Sequence, residues 1–156
     1  MTTQEIKSFK IENIRIPFQF LRFEGPLDKE LNMTSRLKTT VTIINDNTIS
    51  VLFGVVLFIN NEENEKDFSN SPVLVVVNSE GLFSLDGELG KITNLNEITF
   101  LPNFLATIFP FLREKISTAF GNNQIKYYLP SYNLIEYIKN NLSTIEFKDL
   151  RNTSGK

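Results

Sequence analysis

Apolar and polar residues alternate from Phe9 to Phe23, with Ile14, Ile16, Phe18 and Phe20 on one side and Asn13, Arg15 and Gln19 on the other. A period of two predicts a β-strand. The phase slips near Phe20, because Leu21 and Phe23 place apolar groups on the opposite face. A bulge would cause such a slip, as would a strand whose two faces both meet apolar material. Glu24-Gly25-Pro26-Leu27-Asp28-Lys29 then breaks the strand. Alternation resumes from Met33 to Ile44, with Met33, Ser35, Leu37, Thr39, Val41 and Ile43 on one face. Asn45-Asp46-Asn47 supplies hairpin chemistry, since Asn and Asp tolerate positive φ. From Ile49 to Ile59 both faces are apolar, the mark of a central strand. Pro72 opens a fourth strand, which begins at Val73-Val77 and continues through Leu82-Phe83-Ser84-Leu85 to Asp86-Gly87.

The period then changes. Helical signals begin at Asn96-Glu97 and run to Phe120, where Gly121-Asn122-Asn123 forms a stop. Leu101, Phe104, Leu105, Ile108, Leu112, Ile116 and Ala119 recur at helical spacing, but Phe109, Pro110 and Phe111 extend apolar character round most of the circumference as far as Arg113. A surface helix in so small a chain should carry one stripe, so the excess predicts a partner. Pro110 lacks an N–H and crowds the carbonyl of Ala106, which predicts a kink or a restart. After Tyr127-Tyr128-Leu129-Pro130, Asn133 is a candidate N-cap with Glu136 as its capping-box partner. Leu134, Ile135, Tyr137, Ile138 and Leu142 form the apolar face of that second helix, and a polar tail from Lys148 is expected to be loose. Strands followed by helices, with no linker or repeat, predict one α+β domain over residues 1–147.

Composition narrows the chemistry. A chain of 156 residues suits one domain that buries about two-thirds of its unfolded surface. The absence of Cys and His excludes disulfides, zinc sites built on those residues, Cys nucleophiles and the Ser-His-Asp triad. A formal net charge of −2, with scattered Lys and Arg, argues against nucleic acid. Glu62, Glu63, Glu65 and Asp67 crowd the segment from Asn60 to Ser71 without the spacing or turn glycine of a cation loop, so a solvated hairpin loop is expected. Gly90-Lys91-Ile92-Thr93 lacks the upstream Gly and the following Ser or Thr of a phosphate loop. No cofactor is implied. The runs Val51–Ile59 and Phe100–Leu112 are too short to span a bilayer, and no signal peptide is visible. A soluble cytoplasmic protein without enzymatic activity is the expectation.

Several landmarks in order resemble the SecB export chaperone family. Gly81-Leu82-Phe83-Ser84-Leu85-Asp86-Gly87 resembles that family's Gly-Ile-Phe-Ser-Ile-Ala-Gly strand end, and Phe109-Pro110-Phe111-Leu112-Arg113-Glu114 resembles its Phe-Pro-Tyr-Ala-Arg-Glu helix segment, with Pro102-Asn103 before it. Leu129-Pro130 with Asn133-Leu134 is similar to the opening of the family's last helix, and Arg22-Phe23-Glu24-Gly25-Pro26 to the close of its first strand. The resemblance implies a four-stranded antiparallel sheet packed with a long kinked helix and a shorter C-terminal one, assembled as a dimer of dimers. It also implies an ATP-independent holdase that binds non-native or preprotein polypeptides in exposed apolar grooves. Gln19 and Phe20 stand where the family carries a Lys-Asp pair, leaving Glu24 as the acid for docking a translocase ATPase. Loss of one carboxylate weakens that electrostatic match, so client holding is better supported than delivery. Divergent relatives act in toxin–antitoxin systems, and a dedicated interaction module of that kind, or a phage-encoded assembly factor, is the alternative.

The candidate client-binding residues are Phe18, Phe20, Leu21, Phe23 and Leu27, joined by Tyr127, Tyr128, Leu134 and Tyr137. One sheet face cannot bury both phases of the first strand, and exposed apolar surface marks interaction sites. Phe104, Ile108, Phe111, Leu112 and Ile116 are the candidate oligomer interface, because symmetric contacts commonly bury such helices.

Overall fold

Strands form where the alternation predicts them, and a further strand forms where it does not. The computed structural model describes residues 8–25 and 31–152, with the side chain of Asn152 excepted. Strands β1 (Phe9–Phe23), β2 (Met33–Asn45), β3 (Thr48–Ile59), β4 (Val73–Leu85) and β5 (Glu146–Asp149) make one sheet in the order β1-β4-β3-β2-β5. The first four pair antiparallel, whereas β5 lies parallel to β2. The sheet is therefore five-stranded and mixed, not four-stranded and antiparallel. β3 is central, as its two apolar faces require.

The phase slip in β1 lies earlier than Phe20. Pairing with β4 passes from Ile11↔Phe83 to Asn13↔Leu82, and from Arg15↔Glu80 to Phe18↔Asn78. Each step uses one more residue on β1 than on β4, which places bulges at Glu12 and at Ile16-Pro17. Pro17 cannot donate to a ladder and suits an edge strand. From Phe18 to Phe23 the ladder is regular.

Helix α2 (Leu101–Gly121) runs as one element through Pro110, with Pro102 in its first turn. Its predicted start at Asn96 is instead a separate 3-10 turn, Leu95–Glu97, capped by Asn94. The helix lies against β3 and β4. At Gly81 an added Cβ would stand 2.8 Å from the Phe83 ring and 3.0 Å from the Ile108 side chain of the helix. Leu101, Phe104, Leu105, Ile108, Leu112 and Ile116 form one fully buried stripe. Phe104 stacks on Phe83 at 4.5 Å and meets Phe9 edge-on at 4.8 Å. The apolar circumference expected from the sequence is thus mostly absorbed within the chain, and Phe111 is the large apolar residue of α2 left exposed.

The segment expected as a solvated hairpin loop and the tail expected to be loose both contain regular structure. The connection from Asn60 to Ser71 contains α1 (Glu62–Lys66) and a 3-10 turn, Phe68–Asn70. The Asn61 side chain accepts from the Asn64 N–H at 2.7 Å, the buried Asn64 amide donates to the Ile59 carbonyl at 3.0 Å, and Phe68 stacks on Phe58 at 5.6 Å. At the other end, β5 pairs Glu146–Asp149 with Thr40–Ile43. Arg151 follows, donating to both oxygens of Asp149 at 3.0 and 2.8 Å, to Asp46 at 3.1 Å and to the Leu89 and Gly90 carbonyls at 3.0 and 3.1 Å. The hydrogen bond from Arg151 holds the Asp149 carboxyl below its usual range, and the same bond raises Arg151. The polar C-terminal segment from Lys148 is therefore clamped, through Asn152, onto the β2–β3 turn and the loop after β4.

Candidate polypeptide-binding surfaces

Directly opposed residues in a ladder share a face. Leu21 and Phe23 oppose Val75 and Val73 on the face that α2 covers, while Phe18 and Phe20 oppose Asn78 and Val76 on the uncovered face. The first-strand candidates are therefore divided between two surfaces and form no common groove. On the outer face Phe18 and Phe20 remain 51% and 42% exposed. Leu27 lies outside the described residues. Glu24 is exposed, 3.8 Å from Arg22, and its N–H donates to the Pro72 carbonyl at 3.0 Å.

On the covered face, Phe23 meets Phe120 edge-on at 5.3 Å, and Phe120 also carries the Tyr127 ring at 4.7 Å. Tyr128 stands 58% exposed beside them and lines an open pocket of about 280 Å³ with Ser117, Gly121, Gln124 and Lys126. A second shallow groove, about 320 Å³, separates β1 from α2 and is lined by Ile14, Ile16, Phe111, Glu114, Lys115 and Thr118.

Helix α3 (Leu134–Asn141) forms a third surface over β2. Asn133 caps it, its side chain accepting from the Glu136 N–H at 3.2 Å. Leu134 and Tyr137 are half-buried against the core, while Ile135 points to solvent. The Tyr137 hydroxyl shares a hydrogen bond of 2.9 Å with Thr39, and the Tyr132 hydroxyl one of 2.7 Å with Ser35. Phe109 packs edge-on to Tyr132 at 5.8 Å, so one of the residues that made α2 look greasy all round is covered from this side. Tyr132 was not among the sequence candidates. Its signal was its position between Tyr128 and Tyr137, opposite a strand whose Ser35 and Thr39 share a face.

Of the candidate interface residues, Phe104, Ile108, Leu112 and Ile116 have no exposed surface in the single chain, whereas Phe111 is 49% exposed. The chemistry available at these surfaces is apolar contact and hydrogen bonding. Burial, then the neighbouring Tyr132, pushes the Tyr127 phenol up to about 12, and burial raises Tyr137 despite its bond to Thr39. Both stay protonated at neutral pH. A raised phenol favours the neutral form, so the stability it contributes is intact below about pH 10, its unfolded value. That contribution drains away as pH climbs through about 12. Tyr127→Phe is expected to flatten the alkaline fall in melting temperature, with Tyr137 left to produce the remainder. An unchanged alkaline profile would remove the assignment. Among the described residues no cluster of three His, Cys, Asp or Glu is placed to hold a metal ion, and no helix is long and apolar enough to cross a membrane.

A mixed sheet backed by one long and one short helix, in this order, is a divergent SecB-like fold. The SecB-like chaperone Rv1957 of Mycobacterium tuberculosis, solved in complex with a ChAD peptide from the Rv1956 HigA1 antitoxin, superposes with a TM-score of 0.60 at 15% identity, over 80% of this chain and 88% of that one. A protein of unknown function from Streptococcus agalactiae matches with a TM-score of 0.40 at 9% identity, over 80% and 98% of the two chains. No family model matches the sequence, and no curated protein matches it.

Proposed function

We propose that this chain is an ATP-independent holdase that binds non-native polypeptide segments on apolar surface. The observation that carries the reading is large apolar side chains held half in water on ordered elements: Phe18 and Phe20 on β1, Tyr128 before α3, and Phe111 on α2. Patches of this kind mark interaction sites, and extended segments dock through side-chain pockets and free strand edges. The fold supports the same reading, since a chaperone of like fold was solved with a bound peptide. That peptide comes from an antitoxin, which favours a second reading, a dedicated partner of one cognate protein. Suppression of aggregation separates the two. Several unrelated unfolded clients protected at near-stoichiometric ratios, without nucleotide, are expected of the holdase; protection of one cognate partner alone would transfer the function to the dedicated reading.

Self-association belongs to the same proposal. Phe111 and the groove between β1 and α2 offer the apolar surface for a homodimer, and pairs of dimers complete a tetramer. Native mass measurement at micromolar concentration is expected to show the oligomer, and a strict monomer would end this part of the proposal. Docking to a translocase through Glu24 remains the least supported element, because that carboxylate stands beside Arg22.

A further inference from the structure

The edge of β2 is filled by the chain's own last strand, and that strand is lightly built for the place. β5 is four residues long, and its ladder with β2 covers residues 40–43 in parallel register. Parallel pairing is the less stable kind per residue. Across residues 130–151, which include α3, Ile145 is the one buried residue. Polar ties supply much of the remaining hold, from Tyr137 to Thr39 at 2.9 Å and from Arg151 to Asp149 and Asp46. A segment with so few buried apolar groups opens at a fraction of the global unfolding free energy. The strand beneath is of the other kind. Val41 and Ile43 have no exposed surface, and β2 pairs along its whole length with β3, so β2 keeps its place when β5 leaves.

β5 also shows what this edge accepts. Phe147 stands opposite Val41, half-buried against the core, and Ile145 is buried two positions before it. Glu146 and Lys148, opposite Thr40 and Thr42, are exposed. The edge therefore takes an extended backbone with apolar side chains two positions apart and leaves the side chains between them in water.

We propose that β5 is an exchangeable strand, which closes the β2 edge in the free chain and yields it to an extended polypeptide segment with apolar residues two positions apart. The proposal rests on the holdase reading and adds to it a gate. An incoming segment adds to the sheet through its backbone, as strand-adding ligands do. Arg151 is the catch. It grips both oxygens of Asp149 at 3.0 and 2.8 Å, then reaches Asp46 on the β2–β3 turn at 3.1 Å and the Leu89 and Gly90 carbonyls at 3.0 and 3.1 Å. These contacts lie outside the β2–β5 ladder, so breaking them frees the end of the strand and leaves the sheet intact.

A fluorescent peptide of residues 144–151, Thr-Ile-Glu-Phe-Lys-Asp-Leu-Arg, tests the exchange in trans. The Arg151→Ala protein is expected to bind it at least about tenfold more tightly than the parent, and a peptide with Ser in place of Ile145 and Phe147 is expected to lose that binding. Thr42→Cys with Lys148→Cys supplies the opposite arm. These positions face each other, strands about 4.8 Å apart lie within reach of a disulfide, and the chain has no Cys of its own. The oxidised form is expected to refuse the peptide, and reduction to restore binding. Hydrogen exchange on the unsubstituted chain is the third measurement: reduced, carboxymethylated α-lactalbumin, a permanently unfolded client, is expected to speed exchange of the β5 amides. Equal peptide binding by the parent and Arg151→Ala, or by the locked and reduced forms, overturns the proposal. So does β5 exchange that stays level or slows with client. A dimer of Arg151→Ala that grows with concentration and excludes the peptide would give the edge to β5 of a second copy, which also overturns it. Aggregation suppression separates the two levels. Equal protection by the locked and reduced forms removes the gate and leaves the holdase, whereas no protection by the parent, with the peptide still bound by Arg151→Ala, removes the holdase and leaves the exchange.

Discussion

Phe104→Ala is expected to destabilise the subunit by about 3–5 kcal/mol, the range for deleting a fully buried aromatic side chain. The ring is fully buried, stacked on Phe83 at 4.5 Å and edge-on to Phe9 at 4.8 Å. Such aromatic pairs add about 0.5–1.5 kcal/mol beyond the area they bury. Against a total stability of about 5–15 kcal/mol, that loss leaves a marginal fold. Urea unfolding of the variant would measure it directly. A residue serving mainly as a subunit contact would behave otherwise, lowering the assembly mass while the folded fraction and the unfolding midpoint stayed put. That second pattern would return Phe104 to the interface. Phe111→Ser is the matched control: nearly half exposed, it is expected to change monomer stability by no more than about 0.5 kcal/mol.

Replacing Phe18 and Phe20 together with Thr is expected to raise the concentration needed for half-maximal client protection by at least about tenfold, equivalent to about 1.4 kcal/mol of binding. Thr keeps the β-branched strand preference, so β1 retains its ladder with β4. Both rings stand on the uncovered face, and removing them takes nothing from the core. Melting temperature should therefore stay level or rise. Full protection by the double variant would leave Tyr128, Phe111 and the surface under α3 as the client sites. Loss of protection with loss of folding would be uninformative for Ser, which weakens strands, and that is the reason for choosing Thr.

The sequence made the regular parts of this fold readable, because they follow one local rule each. Alternation located β1 to β4, and Asn133 with Glu136 located the start of α3 within a residue. The errors arose where partners distant in the chain decide the outcome. Glu146-Phe147-Lys148-Asp149 is only four residues long, three of them charged, and its strand exists because β2 offers an edge and Arg151 holds the far end. Most of the excess apolar surface of α2 is absorbed for the same reason: Phe109 is covered by Tyr132, more than twenty positions downstream. The slip in β1 was legible but misplaced. Pro17 was its local signal, and the apolar pair Leu21 and Phe23 drew the reading four residues too far. Among the candidate sites, exposure of Phe18, Phe20 and Tyr128 follows from polarity and position, whereas the separation of Phe18 from Phe23 onto opposite faces needed the bulge count.

The two bulges of β1 also govern what can be added to the sheet's open side. They cut the edge into straight runs of which the longest, Phe18–Phe23, is a single uninterrupted stretch, and Pro17 leaves one position with no donor at all. A chain captured along that edge can form a short ladder and then lose register. Repeated end-to-end growth, the route by which sticky strands seed fibrils, is interrupted at each subunit. On the proposed holdase reading, such an edge would meet aggregation-prone segments without offering itself as their template.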